Sequence, residues 1–355
     1  MTRAHKDYTV AIVSALWFET AACLGMLDEP HPRLRAKPGD NNSYKLGRLA
    51  GHNVVLVCLP GTTGNTAASN TSTNLLRTFP EIKTVLLVGI GGGVAGRDKK
   101  VILERDLRLG DIVVGMPSNK TGHGIVEYDL GRETENGFER KGFLTPSPPL
   151  LRSIATTMRM DTSLPSRLAE HIKNMDDDED EFQRPAADTD VVFVADEAVS
   201  RPPRKRPDRP KIHYGLIATG DTVVKSSESQ KKFVDRLAQE GDVLCFEMEA
   251  AGVATTTACF VIRGICDYAD AHKNKVWQNY AAAAAAAYAK ELLENLDPVV
   301  VEEEAAGSNP IVQSAEQSRQ THDQGSMLGG ATNITQGKGY VINGGSHTFG
   351  DVTFN

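Results

Sequence analysis

No run of apolar residues in this 355-residue chain approaches the roughly 20 needed to cross a bilayer, so a membrane span is not expected. The first ten residues, MTRAHKDYTV, are charged and lack the apolar core of a signal peptide. The chain is therefore read as cytoplasmic, with nuclear entry left open by a basic run described below. Cysteine is scarce: Cys23, Cys58, Cys245, Cys259 and Cys266 are odd in number, mostly sit in apolar runs and have neither paired nor metal-ligand spacing. They read as reduced core thiols, and neither a metal nor a cofactor is expected. Positive charge is also lacking overall, with a formal net charge of −7. The one basic run is local and has no aromatic platform beside it, so nucleic acid is not the expected partner.

What is present fits one substantial domain with additions. Tyr8–Ala15 is a β-rich run followed by a helical stretch carrying Glu19, whose plain reading is a first-turn carboxylate. Gly51–Asn53 joins two strand-like runs as a hairpin. TVLLVGIGGGVAG is an apolar strand running into glycines, among them Gly91 and Gly92. That pattern suits a turn, bare or holding a phosphate or sugar against backbone amides. A β pair carries Tyr128, Asp129, Phe138 and Arg140. Residues 165–210, with the acidic run Asp176–Glu181 and the proline-rich basic run Arg201–Lys211, read as a surface insertion. The basic run has three readings: a solvated loop, a nuclear localisation patch or a contact to anionic phosphates.

Two clusters of carboxylates draw attention. In VLCFEMEAAG, Glu247 and Glu249 flank Met248 within an apolar run, where carboxylates need a polar partner. A bound sugar's hydroxyls would serve, and so would capping of a helix. In VIRGICDYAD, Asp267 and Asp270 follow a buried-strand pattern whose C-terminal end would open into a crevice. Asp267 is a candidate catalytic acid, or a helix cap. An alanine-rich helix closes this region. The alternation of strands and helices indicates an α/β fold with a mainly parallel sheet covered on both faces. Beyond it, 298–330 is polar and reads as a flexible linker. Residues 331–355 regain β-branched and aromatic residues among Gly and Asn, and read either as a disordered tail or as a cross-β segment.

Taken in order, ALWFE, LVGIGGG, LGDIVV, GLIATGD, CFEMEAAG and RGICDYAD resemble the nucleoside phosphorylase and nucleosidase superfamily over about Tyr8 to Leu296. EYDLG, IHYGLI and RGICDYADAHKNKVWQ are similar to fungal members that serve as effector domains of, or beside, NOD-like immune receptors. The resemblance implies a single three-layer domain over residues 8–297 around a mixed, mainly parallel sheet. It implies that Asp267 protonates the purine N7 as the glycosidic bond breaks, and that Glu19, the last residue of the AxxxE motif, activates water. Met248 and Glu249 would hold the ribose with Glu247 in support. Backbone around Val223 and Val224 would run along the base, and Gly91, Gly92 and Phe138 would complete the substrate contacts.

Phosphorylases of the superfamily bind inorganic phosphate through arginine and serine. Here VSALWFE has no Arg, and Ile90 stands where a Ser or Thr is expected, which points to hydrolysis. Arg140, Lys141, Arg201, Arg204 and Lys225 could meet a nucleotide's phosphates. Immune-effector members act on adenine nucleotides, so the expected substrate is ATP or dATP. The alternatives are a purine nucleoside phosphorylase and a non-catalytic nucleoside-binding scaffold. The tail resembles fungal amyloid signalling motifs, implying activation by tail assembly on a NOD-like receptor that carries a similar motif. Self-association of the domain is also implied.

Overall fold

The computed structural model describes residues 3–298 apart from 119, 121, 136 and 176–180. All of the expected linker but Pro298, the whole of the tail, and Asp176 to Asp180 of the acidic run lie outside the described residues.

Strand and helix alternate as the hydrophobic pattern indicates. β1 (Val10–Ser14) leads into α1 (Trp17–Gly25). β2 (Glu29–His31), β3 (Tyr44–Leu49) and β4 (His52–Cys58) form an antiparallel edge. Ala50 and Gly51, both at positive φ, make the tight turn between β3 and β4 that the sequence signalled. Next come α2 (Asn65–Thr78), β5 (Thr84–Gly93), α3 (Lys99–Arg105), β6 (Ile112–Gly115) and β7 (Ile125–Glu127). A separate hairpin pairs β8 (Gly131–Thr134) with β9 (Gly137–Arg140). α4 (Pro149–Met158), α5 (Leu164–Lys173) and a two-residue pairing of β10 (Phe193–Val194) with β11 (Glu197–Ala198) precede β12 (Ile212–Thr219). α6 (Ser227–Arg236), capped by the Ser226 hydroxyl, then β13 (Val243–Glu247), α7 (Ala250–Ala254), β14 (Phe260–Asp267) and α8 (Gln278–Glu294) complete the domain.

The ten-stranded sheet runs β13, β12, β6, β14, β5, β1, β4, β3, β2, with β7 beside β12. Its centre is parallel; β6 against β14 and the β2–β3–β4 edge are antiparallel. β13 also pairs antiparallel with the end of β5, through Cys245 with Gly93 and Phe246 with Gly92. That pairing curls five strands back on themselves and encloses a cavity at their ends. The alanine-rich α8 lies on β14 and β5. Gly264 explains how close it comes: a Cβ there would stand 1.8 Å from the Ala281 carbonyl oxygen. Its neighbour Arg263 points to the opposite face, as strand alternation requires.

Two expectations are corrected. The glycines of GIGGG form no turn; they belong to β5, in extended backbone without positive φ at Gly89, Gly91, Gly92 or Gly93. They are small because other groups crowd the strand. A Cβ on Gly89 would lie 2.5 Å from Glu19 Oε1, and one on Gly92 would lie 3.0 Å from Asp267 Oδ1. Residues 165–210, expected as a surface insertion, supply part of the core: Leu168, Ile172, Met175, Phe182 and Val192 are buried, and α5 packs on α8. The polar and proline-rich stretches mask a helix whose apolar residues at 164, 168 and 172 share one face. Among the described residues no helix is long and apolar enough to cross a membrane.

Candidate active site

A cavity of about 160 Å³ opens where β5, β13 and β14 end. Ala15, Leu16 and Glu19 wall it on one side, Ile90, Gly91 and Gly92 on another, and Met248, Glu249 and Arg263 beyond them. Thr222, Val223 and Val224 close it with the rings of Tyr128 and Phe246.

Glu19 is third in α1, and its buried carboxylate turns back on the chain. Oε2 accepts from Ala15 N and Leu16 N at 2.8 Å each, a capping box; Oε1 reaches across to accept from Ile90 N at 2.7 Å. Glu19 therefore both caps its helix and faces the cavity. Burial pushes its carboxyl above the ordinary value, against the pull of Arg263 and the three backbone donors.

Arg263, at mid-strand in β14, organises the middle of the site. Its side chain is 1% exposed. Nη2 forms a short charge-assisted bond to Glu247 Oε2 and stands 3.4 Å from Glu249 Oε2, and Nη1 donates to the Ile90 carbonyl at 3.3 Å. Glu247 also accepts from the backbone N–H groups of Glu249 and Ala250, so it is the capping carboxylate of α7 as well as the guanidinium's partner. Glu249 Oε1 accepts from Gly64 N at 3.2 Å. Burial pushes the Glu249 carboxyl up to about 7, opposed by Arg263 and assisted by the charges of Glu247 and Glu19. Three carboxylates thus share one guanidinium.

At the end of β14 the register against β5 shifts between Ile265 and Asp267, and the resulting bulge re-aims Cys266 and Asp267. Asp267 is buried just behind Gly92. It accepts from Ala269 N at 2.8 Å and from the Cys266 thiol at 3.1 Å, and its Oδ2 pairs with Lys273 Nζ at 2.9 Å. Lys273 lines the cavity and so stands on the cavity side of the carboxylate. Asp267 is thus half of an ion pair with Lys273. Asp270 does something else: its Oδ1 accepts from His272 N at 2.9 Å and closes a local turn.

The expected phosphate-binding cations do not converge. Arg140 pairs with Glu240 at 2.8 Å, Arg201 with Asp190 at 2.9 Å and with the Tyr268 hydroxyl, and Arg204 with Asp106 and Asp111. None of these three lines the cavity, because each has acids closer at hand. Lys141 is exposed and absent from the lining. Lys225 is exposed one residue beyond Val224 and makes no ion pair among the described residues. Phe138 is covered by Arg236, 4.2 Å above its ring, and does not line the cavity.

Residues of ALWFE, GIGGG, FEME and CDYAD line this one cavity. The model of the phosphorylase superfamily matches residues 9–295. This chain belongs to the phosphorylase superfamily.

A nucleotide-binding leucine-rich repeat (NLR)-like protein of Hyaloscypha variabilis is 40% identical over 309 residues, covering 83% of this chain and 30% of that protein. ATP nucleosidase Cap17 of Escherichia coli is 25% identical over 298 residues, covering 81% of this chain and 51% of that protein. The chain thus spans about half or less of the length of these relatives. Among solved structures, 5'-methylthioadenosine/S-adenosylhomocysteine nucleosidase of Neisseria meningitidis superposes with a TM-score of 0.53 at 22% identity, covering 81% of this chain and 99% of that one. Futalosine hydrolase of Helicobacter pylori gives 0.53 at 19%, covering 82% and 100%. These likenesses establish the shared α/β fold.

Within this superfamily fold, two site residues escaped sequence reasoning. Arg263 was the only charge inside an otherwise apolar strand, VIRGIC, and that isolation was the available signal. Lys273 sits in a loop, where nothing in its neighbourhood distinguishes it from a solvated lysine.

Proposed function

We propose that this chain is a purine N-glycosidase that uses water to cleave the bond between base and sugar of an adenine nucleotide or nucleoside, ATP or dATP preferred, releasing free adenine and the sugar or sugar phosphate. One observation carries the reading: Glu19, Glu249 and Lys273, brought from separate segments, line one partly aromatic cavity, and Asp267, which does not line it, is paired with Lys273 behind its wall.

The chemistry follows from charge. As the glycosidic bond breaks, positive charge develops on the sugar and negative charge on the leaving base. Glu19 and Glu249 offer anionic oxygens to the sugar side, Glu19 taking the proton of the attacking water and Glu249 accepting from ribose hydroxyls. On the base side a proton passes to the purine from the Asp267–Lys273 pair. A positioned acid or base of this kind contributes about 10²–10⁴-fold. Met248 packs on the sugar, and backbone at Val223 and Val224 runs along the base edge. Hydrolysis is favoured over phosphorolysis because an entering phosphate would meet three carboxylates and only one, already paired, guanidinium.

The competing reading, a phosphorylase, has one feature in its favour: Arg263 lines the cavity with its Nε buried and unpartnered. Incubation with ATP, with and without inorganic phosphate, separates the two. Hydrolysis gives adenine without phosphate; a phosphorylase requires phosphate and yields a sugar 1-phosphate.

The likeness to an NLR-like protein and to an ATP nucleosidase supports a wider role as a cytoplasmic effector of a NOD-like receptor, acting in immunity or cell death. In that role the domain self-associates, and residues 331–355 assemble as an amyloid signalling motif that activates it. A synthetic 331–355 peptide should give cross-β diffraction; a peptide that stays soluble removes the tail from the proposal.

A further inference from the structure

The basic run Arg201–Lys211 contributes nothing to the cavity just described, yet it is not a bare solvated loop. It walls a second hollow of about 770 Å³, together with the ends of α4 and α5 and the first residues of β12. That size lies within the usual range of small-molecule pockets, about 300–1,000 Å³. Its floor is apolar, formed by Met158, Leu164, Pro210, Ile212 and Leu244 around the ring of Tyr214. Its rim is cationic.

Arg204 fixes the loop in place through Asp106 and Asp111, and Asp111 also accepts from the buried His213 at 3.0 Å. The remaining cations are held around the opening. Arg159 lies 5.4 Å above the Tyr214 ring, and Lys211 Nζ donates to the Arg105 carbonyl at 3.0 Å. Arg209 stands 3.5 Å from Asp208. Lys205 and Arg206 are exposed and make no ion pair among the described residues. Asp106 and Asp161 are the acids lining the hollow, and both already answer arginines, Asp161 being paired with Arg167. Such a concentration of positive charge on a chain of net charge −7 is a local feature with its own electrostatic field. The hollow lies at the start of β12 whereas Thr219, its last residue, leads into the cavity turn; seven strand steps separate the two by roughly 23 Å.

We propose that this hollow is a second binding site, for a small polyphosphorylated anion, separate from the glycosidase cavity. Phosphate oxygens are held by Lys205, Arg206 and Arg209 at the rim, and any attached apolar group rests on the floor beside Tyr214. The proposal does not depend on the glycosidase reading, and its test uses no turnover.

The test is calorimetric titration of the full chain with inorganic tripolyphosphate at physiological salt, which screens diffuse surface attraction beyond about 8 Å. Binding is expected, and reversing two rim cations (Lys205→Glu with Arg206→Glu) should raise Kd at least tenfold with the circular dichroism spectrum unchanged. A second arm titrates ATP into the Asp267→Asn chain with and without the two reversals. A reversal-sensitive component at least tenfold tighter than tripolyphosphate identifies a nucleotide as the ligand, and equal affinities identify the polyphosphate group itself. Absence of tripolyphosphate binding overturns the site. So does a Kd indifferent to the reversals, or displacement by a short DNA duplex that binds more tightly.

Discussion

Replacing Arg263 by methionine tests the electrostatic centre of the site. The guanidinium is 1% exposed and stands 3.4 Å from Glu249 Oε2, closer still to Glu247. At an effective dielectric of about 20, one such pair at that distance is worth about 5 kcal/mol, of which part is returned because a methionine needs no desolvation. Stranding one member of a buried pair typically costs about 3–5 kcal/mol. We expect Arg263→Met to lose about 4 kcal/mol, a large share of the roughly 5–15 kcal/mol of a typical domain. Urea denaturation reads this as a lowered midpoint at constant slope. The sign with pH is also fixed. Glu19 and Glu249 already have raised values, and without the cation they rise further, so the folded chain binds more protons than the unfolded one and stability falls as pH increases. The deficit should therefore be larger at pH 8 than at pH 5, and adding Glu247→Gln should recover part of it. A loss below about 1 kcal/mol, or a deficit that grows toward acid pH, refutes the shared-guanidinium description.

Other consequences can be measured separately. Lys273→Met removes the cation 2.9 Å from Asp267 and should lower kcat for base release roughly 10²-fold with little change in KM, because the pair acts on the leaving base; an effect on KM alone would make Lys273 a binding group. Glu249 takes its proton near pH 7, so KM should rise as pH falls below that value, and Glu249→Gln should raise KM and flatten the profile; an unchanged profile removes Glu249 from ribose binding. Gly264→Val places side-chain atoms where the Ala281 backbone already lies and should cost more than about 4 kcal/mol in thermal unfolding, as overpacking that neither the sheet nor α8 can relieve.

The sequence made the sheet and the loop-to-site order legible, since buried parallel strands read as apolar runs and the β3–β4 turn carries its own residue signature. Glu247 and Glu249 stood out because carboxylates within an apolar run need a polar partner, which folding supplies in Arg263; Asp267 stood out at the end of an apolar strand, and Glu19 only through the family resemblance. It misread GIGGG as a turn: a glycine cluster ordinarily signals bending, whereas here it admits Glu19 and Asp267 against an extended strand, a demand set by residues far away in the chain. Arg201 and Arg204 looked available for phosphate because a linear sequence does not show that Asp190, Asp106 and Asp111 claim them first. Arg263 and Lys273 failed to stand out for the same reason, as their meaning lies in partners that only folding supplies.

The central claim is tested most directly by incubating the purified full chain with ATP in phosphate-free buffer and following free adenine by chromatography, beside Glu19→Gln and Asp267→Asn. Adenine should accumulate with the unaltered chain and fall by at least about 10²-fold in either variant. No base release from any purine nucleotide or nucleoside, release that depends on added phosphate, or release undiminished in both variants would contradict it.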